Sequence, residues 1–113
     1  MLELVTAVLQ PYRLEVVKDA LNDIGVAGMT VSEARGFGRQ GSHTETYRGA
    51  EYQVDFVPKV MITLLCRSEE TAGIVDAITG AAGSGGIGDG KIWVTPVSEA
   101  VRIRTGERGT DAV

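Results

Sequence analysis

Cysteine and histidine are almost absent: Cys66 and His43 are the only ones in 113 residues. One thiol cannot close an internal disulfide, and this usage fits a reducing compartment. Cys66 reads as a small buried hydrophobe at a strand end. Without a second histidine or a cysteine cluster, no protein-made zinc site is expected. A Ser/His/Asp or Cys/His constellation needs a rigid base, and His43 lies in a polar stretch suited to a solvated loop residue. Aromatics make up only 5% of the chain. The 43% hydrophobic share must therefore build an aliphatic core of Val, Ile, Leu, Ala and Met. No apolar run approaches the ~18 residues of a membrane-spanning helix. The opening Met1-Leu-Glu-Leu lacks the basic and apolar regions of a signal peptide. Basic charge is also scarce: the net charge of -4 argues against non-specific nucleic-acid binding, which needs a basic footprint. The expected location is the cytoplasm.

Glycine, by contrast, is abundant, with 15 residues, about twice the usual share of roughly 7%. Most fall within 36–49 and 80–90, which makes them positional. The length suits one domain spanning 1–113. Residues 2–9 (LELVTAVL) read as a strand ended by Gln10-Pro11. Leu14, Val17, Leu21 and Ile24 recur at helical spacing over 12–24, and Gly25 stops that helix. A second strand is expected over 28–34. Residues 57–66 (VPKVMITLLC) are nearly continuous apolar, the pattern of a central strand buried on both faces. Ser68 is the expected N-cap of a second helix, with Glu69 and Glu70 in its first turn, fading at Gly80. Residues 92–97 (IWVTPV) form another strand, Pro96 marking its end or a sheet edge. Residues 101–105 alternate like a short strand, and 106–113 read as a flexible tail. Between the second and third strands lies a polar stretch, 36–56, too long for an ordinary structureless connection. The order is β-α-β-long loop-β-α-β. This predicts an α+β, ferredoxin-like βαββαβ fold: a four-stranded antiparallel sheet with two helices on one face and a long loop at about 37–56.

Two features can carry chemistry. The loop at 83–91 (GSGGIGDGK) offers successive backbone N–H groups and then Lys91, which suits an anion. Arg102 and Arg104, alternating on a strand-like segment, would point the same way and add two guanidinium forks beside that nest. Arg39 could add a third. A plain glycine turn with solvated arginines fits the same residues. The loop is not a GxxxxGK[ST] phosphate loop, and its glycines open a strand where a dinucleotide fingerprint would open a helix. The acid pairs Glu69/Glu70 and Asp19/Asp23 read as helix-surface charge.

The segments GFGRQ (36–40), HTETYRGAEY (43–52), VDFVPK (54–59), SGGIGDGKIWV (84–94) and VRIRTGE (101–107) run in order along nearly the whole chain. Together they resemble the PII family of nitrogen-regulatory signalling proteins, including its YRGAEY and GDGKI[FW] signatures. The resemblance implies a ferredoxin-like homotrimer with nucleotide sites in the clefts between subunits, no enzymatic cofactor, and ATP, ADP, Mg2+ and 2-oxoglutarate as effectors. It assigns nucleotide contacts to Thr30, Gly38, Arg39, Gln40, Leu65, Gly88, Asp89, Gly90, Lys91, Arg102 and Arg104. It assigns 2-oxoglutarate to Gln40, Gly41 and Lys59, Mg2+ to Gln40, and nucleotidylation to Tyr52. The implied partners are an Amt-type ammonium transporter, reached reversibly at the membrane face, a nucleotidylyltransferase acting on Tyr52, and nitrogen-metabolism enzymes. No nucleic acid is implied.

The chain differs from the usual family pattern at Gly41-Ser42, where Lys-Gly is common, at Gly86, where a charged residue is usual, and at Thr63, where Glu is frequent. These changes bear on partner choice and ligand affinity. Two other classes fit the fold. One is an enzyme such as a small phosphatase or nucleotide kinase, for which the chain lacks a placed base or nucleophile; a weak ATPase side activity is compatible with a sensor. The other is a trimeric ferredoxin-like protein with degenerate effector binding and a different partner, which leaves Lys91, Arg102 and Arg104 without a role.

Overall fold

The computed structural model describes residues 1–37 and 56–113 with their side chains, and the backbone of 44–47 and 50–54. The elements are β1 (Leu2–Leu9), α1 (Leu14–Asp23), β2 (Thr30–Gly36), β3 (Thr44–Tyr47), β4 (Ala50–Val54), β5 (Val57–Arg67), α2 (Ser68–Ala82) and β6 (Gly90–Val97). Four strands form one antiparallel sheet in the order β2-β5-β1-β6. With two helices in the connections, this is the expected ferredoxin-like βαββαβ arrangement. Within the long insertion, β3 and β4 pair only with each other. The stretch expected to be structureless therefore contains a hairpin, which answers the difficulty of so long a bare loop.

Pleating puts alternate residues on opposite faces. Val5, Ala7 and Leu9 of β1 sit opposite Leu64, Ile62 and Val60 of β5, and all six are buried. Val17 and Leu21 of α1 and Ile74, Ile78 and Ala82 of α2 close over them in one aliphatic core. Cys66 belongs to it, at 2% exposure, with its Sγ 3.3 Å from the Thr71 hydroxyl oxygen. Thr71 in turn donates to the Glu3 carboxylate at 2.6 Å, tying α2 to β1.

The other side of the sheet carries Leu4, Thr6 and Val8 of β1, Lys59, Met61, Thr63 and Leu65 of β5, and Lys91 and Trp93 of β6. No described helix covers this side. Strand β5 was expected to be buried on both faces, yet Met61 and Thr63 are half-buried and Leu65 is 40% exposed. Its continuous hydrophobicity therefore leaves an apolar face uncovered within one chain.

Several ends differ from the sequence expectation. Gly25 does stop α1: with φ of 91°, it donates to Asn22 O at 3.0 Å while Val26 N–H reaches Leu21 O at 3.0 Å, a Schellman closure. Ser68, however, is already inside α2, whose N-cap is Arg67. The Arg67 N–H donates to Glu70 Oε1 at 3.1 Å, and the buried Ser68 hydroxyl oxygen has no hydrogen-bond partner. Helix α2 also runs past Gly80 to Ala82. Residues 101–105 are not a strand. Arg102 N–H donates to Glu107 O at 2.8 Å and Gly106 N–H to Arg102 O at 2.7 Å, closing a turn, so the same-side placement expected of Arg102 and Arg104 does not follow from strand alternation. Beyond it, Val101 bridges Arg108 and Gly109–Ala112 forms a 3-10 helix. The C-terminal residues thus fold back on the domain, where Arg67 reaches Thr110 O.

Candidate functional site

The glycine loop between α2 and β6 is shaped from within. Asp89 accepts Ser84 N–H at 2.6 Å and the Ser84 hydroxyl at 2.7 Å. It also accepts Gly85 N–H at 3.0 Å, while Gly86 N–H goes to Ser84 Oγ at 3.2 Å. The Ser84 hydroxyl and the neighbouring amides hold the Asp89 carboxyl below its ordinary range. The first amides of the nest therefore already hold an anion, the chain's own. Asp89 shapes the loop in this structure, and an external anion is left the segment from Ile87 to Lys91. That segment is sharply bent, with φ of 99° at Gly88 and 109° at Gly90.

Lys59 joins this loop from β5. Its side chain is buried at 9% exposure, and its Nζ donates to Gly88 O at 3.0 Å. Two residues before it, Val57 pairs with Gly36 at the mouth of the long insertion. There Phe37 and Phe56 meet edge to face, with centroids 5.3 Å apart. Both rings are exposed. Of the candidate residues at this neck, Gly38, Arg39, Gln40 and Gly41 lie outside the described residues. Tyr52 lies on the backbone of β4.

Thr30 and Leu65 come together farther along the same sheet face. Thr30 pairs with Thr63, and both Thr30 and Leu65 line a cavity of about 590 Å³ whose wall also includes Gly28, Met29 and Arg67. The two Arg candidates do not join either group. Strand β6 starts with Gly90 opposite Leu9 and ends with Val97 opposite Leu2. The glycine loop and the Arg102–Arg104 turn thus leave opposite ends of a strand roughly 23 Å long. The turn sits near the Leu2 end, where Arg67 donates to Thr110 O at 3.3 Å. Arg102 is half-buried and 3.6 Å from the Glu107 carboxylate, while Arg104 is exposed. Within one chain the glycine loop and the two arginines therefore stand apart.

Sequence reasoning missed two roles. Asp89 is an internal ligand of its own loop, which the Ser-Gly-Gly before it could have signalled. Arg67 latches the C-terminal segment, and nothing local in the sequence marks that contact. Among the described residues, no group of three or more His, Cys, Asp or Glu side chains is placed to hold a metal ion. No helix among them is long and apolar enough to cross a membrane.

Comparison with known proteins extends over the same length as these motifs. The family model for nitrogen regulatory protein P-II matches residues 2–107. The chain is 55% identical over 109 residues to nitrogen regulatory protein P-II of Azospirillum brasilense, covering 96% of this chain and 97% of that protein. It is 52% identical, with the same coverage, to the protein of that name from Rhizobium meliloti strain 1021. Among solved structures, Arabidopsis thaliana PII bound to citrate superposes with a TM-score of 0.82 at 38% identity, covering 99% of this chain and 92% of that one. Sheet order, signature segments and similarity along almost the full length agree, and the chain belongs to the nitrogen regulatory protein P-II family, a family of regulatory signal proteins.

Proposed function

We propose that the chain is a non-catalytic sensor of nitrogen, carbon and energy status. It binds ATP or ADP and, with Mg-ATP, 2-oxoglutarate, at sites completed between copies of a homotrimer. The observation that carries this reading is the separation of the two halves of the phosphate site. The glycine loop and Lys59 stand at one end of the sheet and Arg102 and Arg104 at the other. Only a second copy can bring the guanidiniums of one chain to the loop of another. The uncovered apolar face of the sheet gives the copies a surface to share.

In this reading Ile87 to Lys91 receive the phosphates, Arg102 and Arg104 of a neighbouring copy neutralise them, and the cavity at Thr30 and Leu65 takes the base. Gln40 is the protein's ligand to Mg2+. The described acidic side chains do not gather as metal ligands, which suits an ion held mainly by phosphate oxygens and water. Gly41 and Lys59 receive the 2-oxo acid. The Arabidopsis relative is a PII bound to citrate, so a small polycarboxylate has a place on this fold.

Ligands at the neck bias the β3–β4 hairpin, and the shift is limited by their differential affinity for its states. The hairpin then meets an Amt-type ammonium transporter, bringing the protein reversibly to the membrane, or nitrogen-metabolism enzymes. A nucleotidylyltransferase modifies Tyr52.

Calorimetry with ATP, ADP and 2-oxoglutarate tests this reading. Expected are competing ATP and ADP isotherms and 2-oxoglutarate binding only with Mg-ATP. No ATP binding, or 2-oxoglutarate binding without it, overturns the reading.

A further inference from the structure

Lys59 stands in the long-loop half of the site, but its ammonium is engaged elsewhere. It lies buried at the start of β5, where its Cα partner is Ala34, and its Nζ reaches 29 residues along the chain to Gly88 O at 3.0 Å. A buried ammonium is stable only when hydrogen-bonded, so this contact constrains both partners. The Gly88 carbonyl and the Asp89 N–H belong to one peptide plane and, in a trans peptide, point in opposite directions. Fixing the carbonyl toward Lys59 therefore aims the Asp89 N–H away from it, into the open side of the loop.

The rest of the segment is anchored around this plane. The Asp89 carboxylate is tied back to Ser84 and Gly85, and Gly90 is pressed against β1. With φ of 99°, Gly88 has no side chain to limit its rotation. Neither of those contacts holds the plane between Gly88 and Asp89 at its carbonyl; the Lys59 ammonium does.

We infer that Lys59 is a positioning residue for the glycine loop, setting the direction of the Asp89 N–H donor before any 2-oxo acid is present. This rests on the reading that the loop receives nucleotide phosphates. It adds that Lys59 contributes to ADP binding, a ligand with which the carboxylate role alone gives it no contact.

The test uses Lys59→Met, which keeps the apolar stem and removes the ammonium, and Lys59→Arg, which keeps a cationic donor. In the ligand-free protein, the Asp89 amide NMR order parameter should fall in Lys59→Met from the rigid range of about 0.85 toward the flexible range below about 0.6, because the peptide plane loses the hydrogen bond that fixes it. Order parameters in β1 and α2 should stay unchanged. ADP affinity, measured without any 2-oxo acid, should fall about tenfold, the effect of losing one charge-assisted hydrogen bond, and Lys59→Arg should recover most of both. An unchanged Asp89 order parameter, a fall shared equally by the core amides, or full ADP affinity in Lys59→Met overturns the inference. If the parent chain binds no ADP while the order parameter still falls only at the loop, the nucleotide reading fails and the anchor stands.

Discussion

Gly90 lies against Val8 so closely that a Cβ on it would stand 1.8 Å from the Val8 carbonyl oxygen, and its φ is 109°. The contact is where β6 begins to pair with the end of β1. It fixes the point at which the glycine loop becomes strand. Gly90→Ala meets both a backbone clash and a disfavoured conformation, so it should lower stability by roughly 3 kcal/mol. Chemical denaturation measures this. A loss under about 1 kcal/mol, the ordinary cost of a strained Gly-to-Ala change, would mean that the two strands separate there easily.

The start of α2 gives two substitutions with opposite signs. Glu70 accepts the Arg67 N–H at 3.1 Å, so Glu70→Ala should cost about 0.5–1 kcal/mol, the scale of a lost capping interaction. The Ser68 hydroxyl is buried without a partner. Ser68→Ala should therefore be neutral or stabilise by up to about 1 kcal/mol, whereas an N-capping serine would lose about that amount. Paired thermal melts decide the sign.

Asp89 should leave a mark on acid stability. Its carboxyl is held low first by the Ser84 hydroxyl and then by backbone amides. A depressed folded-state value means stability is fully present above the unfolded value near ~3.9 and is lost as pH falls through the folded one. Asp89→Asn should flatten the decline in melting temperature below about pH 4 and leave the neutral-pH plateau less affected than Asp89→Ala. Equal slopes for the parent and Asp89→Asn would place the acid sensitivity elsewhere.

The sequence made much of the fold legible because period and punctuation agreed. Alternation in β1, the helical spacing of Val17 and Leu21, and Gly25 each pointed to what forms. Where it misled, a competing contact a few residues along the chain decided. Ser68 had the chemistry of a cap, but Arg67 and Glu70 took that role one residue earlier. Arg102 and Arg104 alternated like strand residues, but the bond from Arg102 to Glu107 made a turn. The candidate site was legible as motifs and not as geometry. Residue types at 84–91 announce an anion loop, but only sheet register shows that the arginines leave the far end of β6. The internal role of Asp89 likewise depends on a bend that no periodicity encodes.

The uncovered sheet face gives the last prediction, on assembly. Val8 is half-buried on that face, between Met61 of β5 and Lys91 of β6, and Trp93, the only tryptophan, is 46% exposed there. A face bearing Leu4, Val8, Met61, Leu65 and Trp93 in water is what an oligomer interface resembles when opened. If copies pack through it, Val8→Asp buries a carboxylate with no partner and should reduce the sedimenting species from trimer to monomer. Trp93 emission should shift to longer wavelength in parallel as its ring meets water. If the phosphate site is shared between copies as proposed, ADP binding should weaken together with assembly, because the glycine loop would then lose the arginines of its neighbour. A Val8→Asp protein that keeps both the trimer mass and the parent emission would place the interface on another surface and remove the reason for a shared phosphate site.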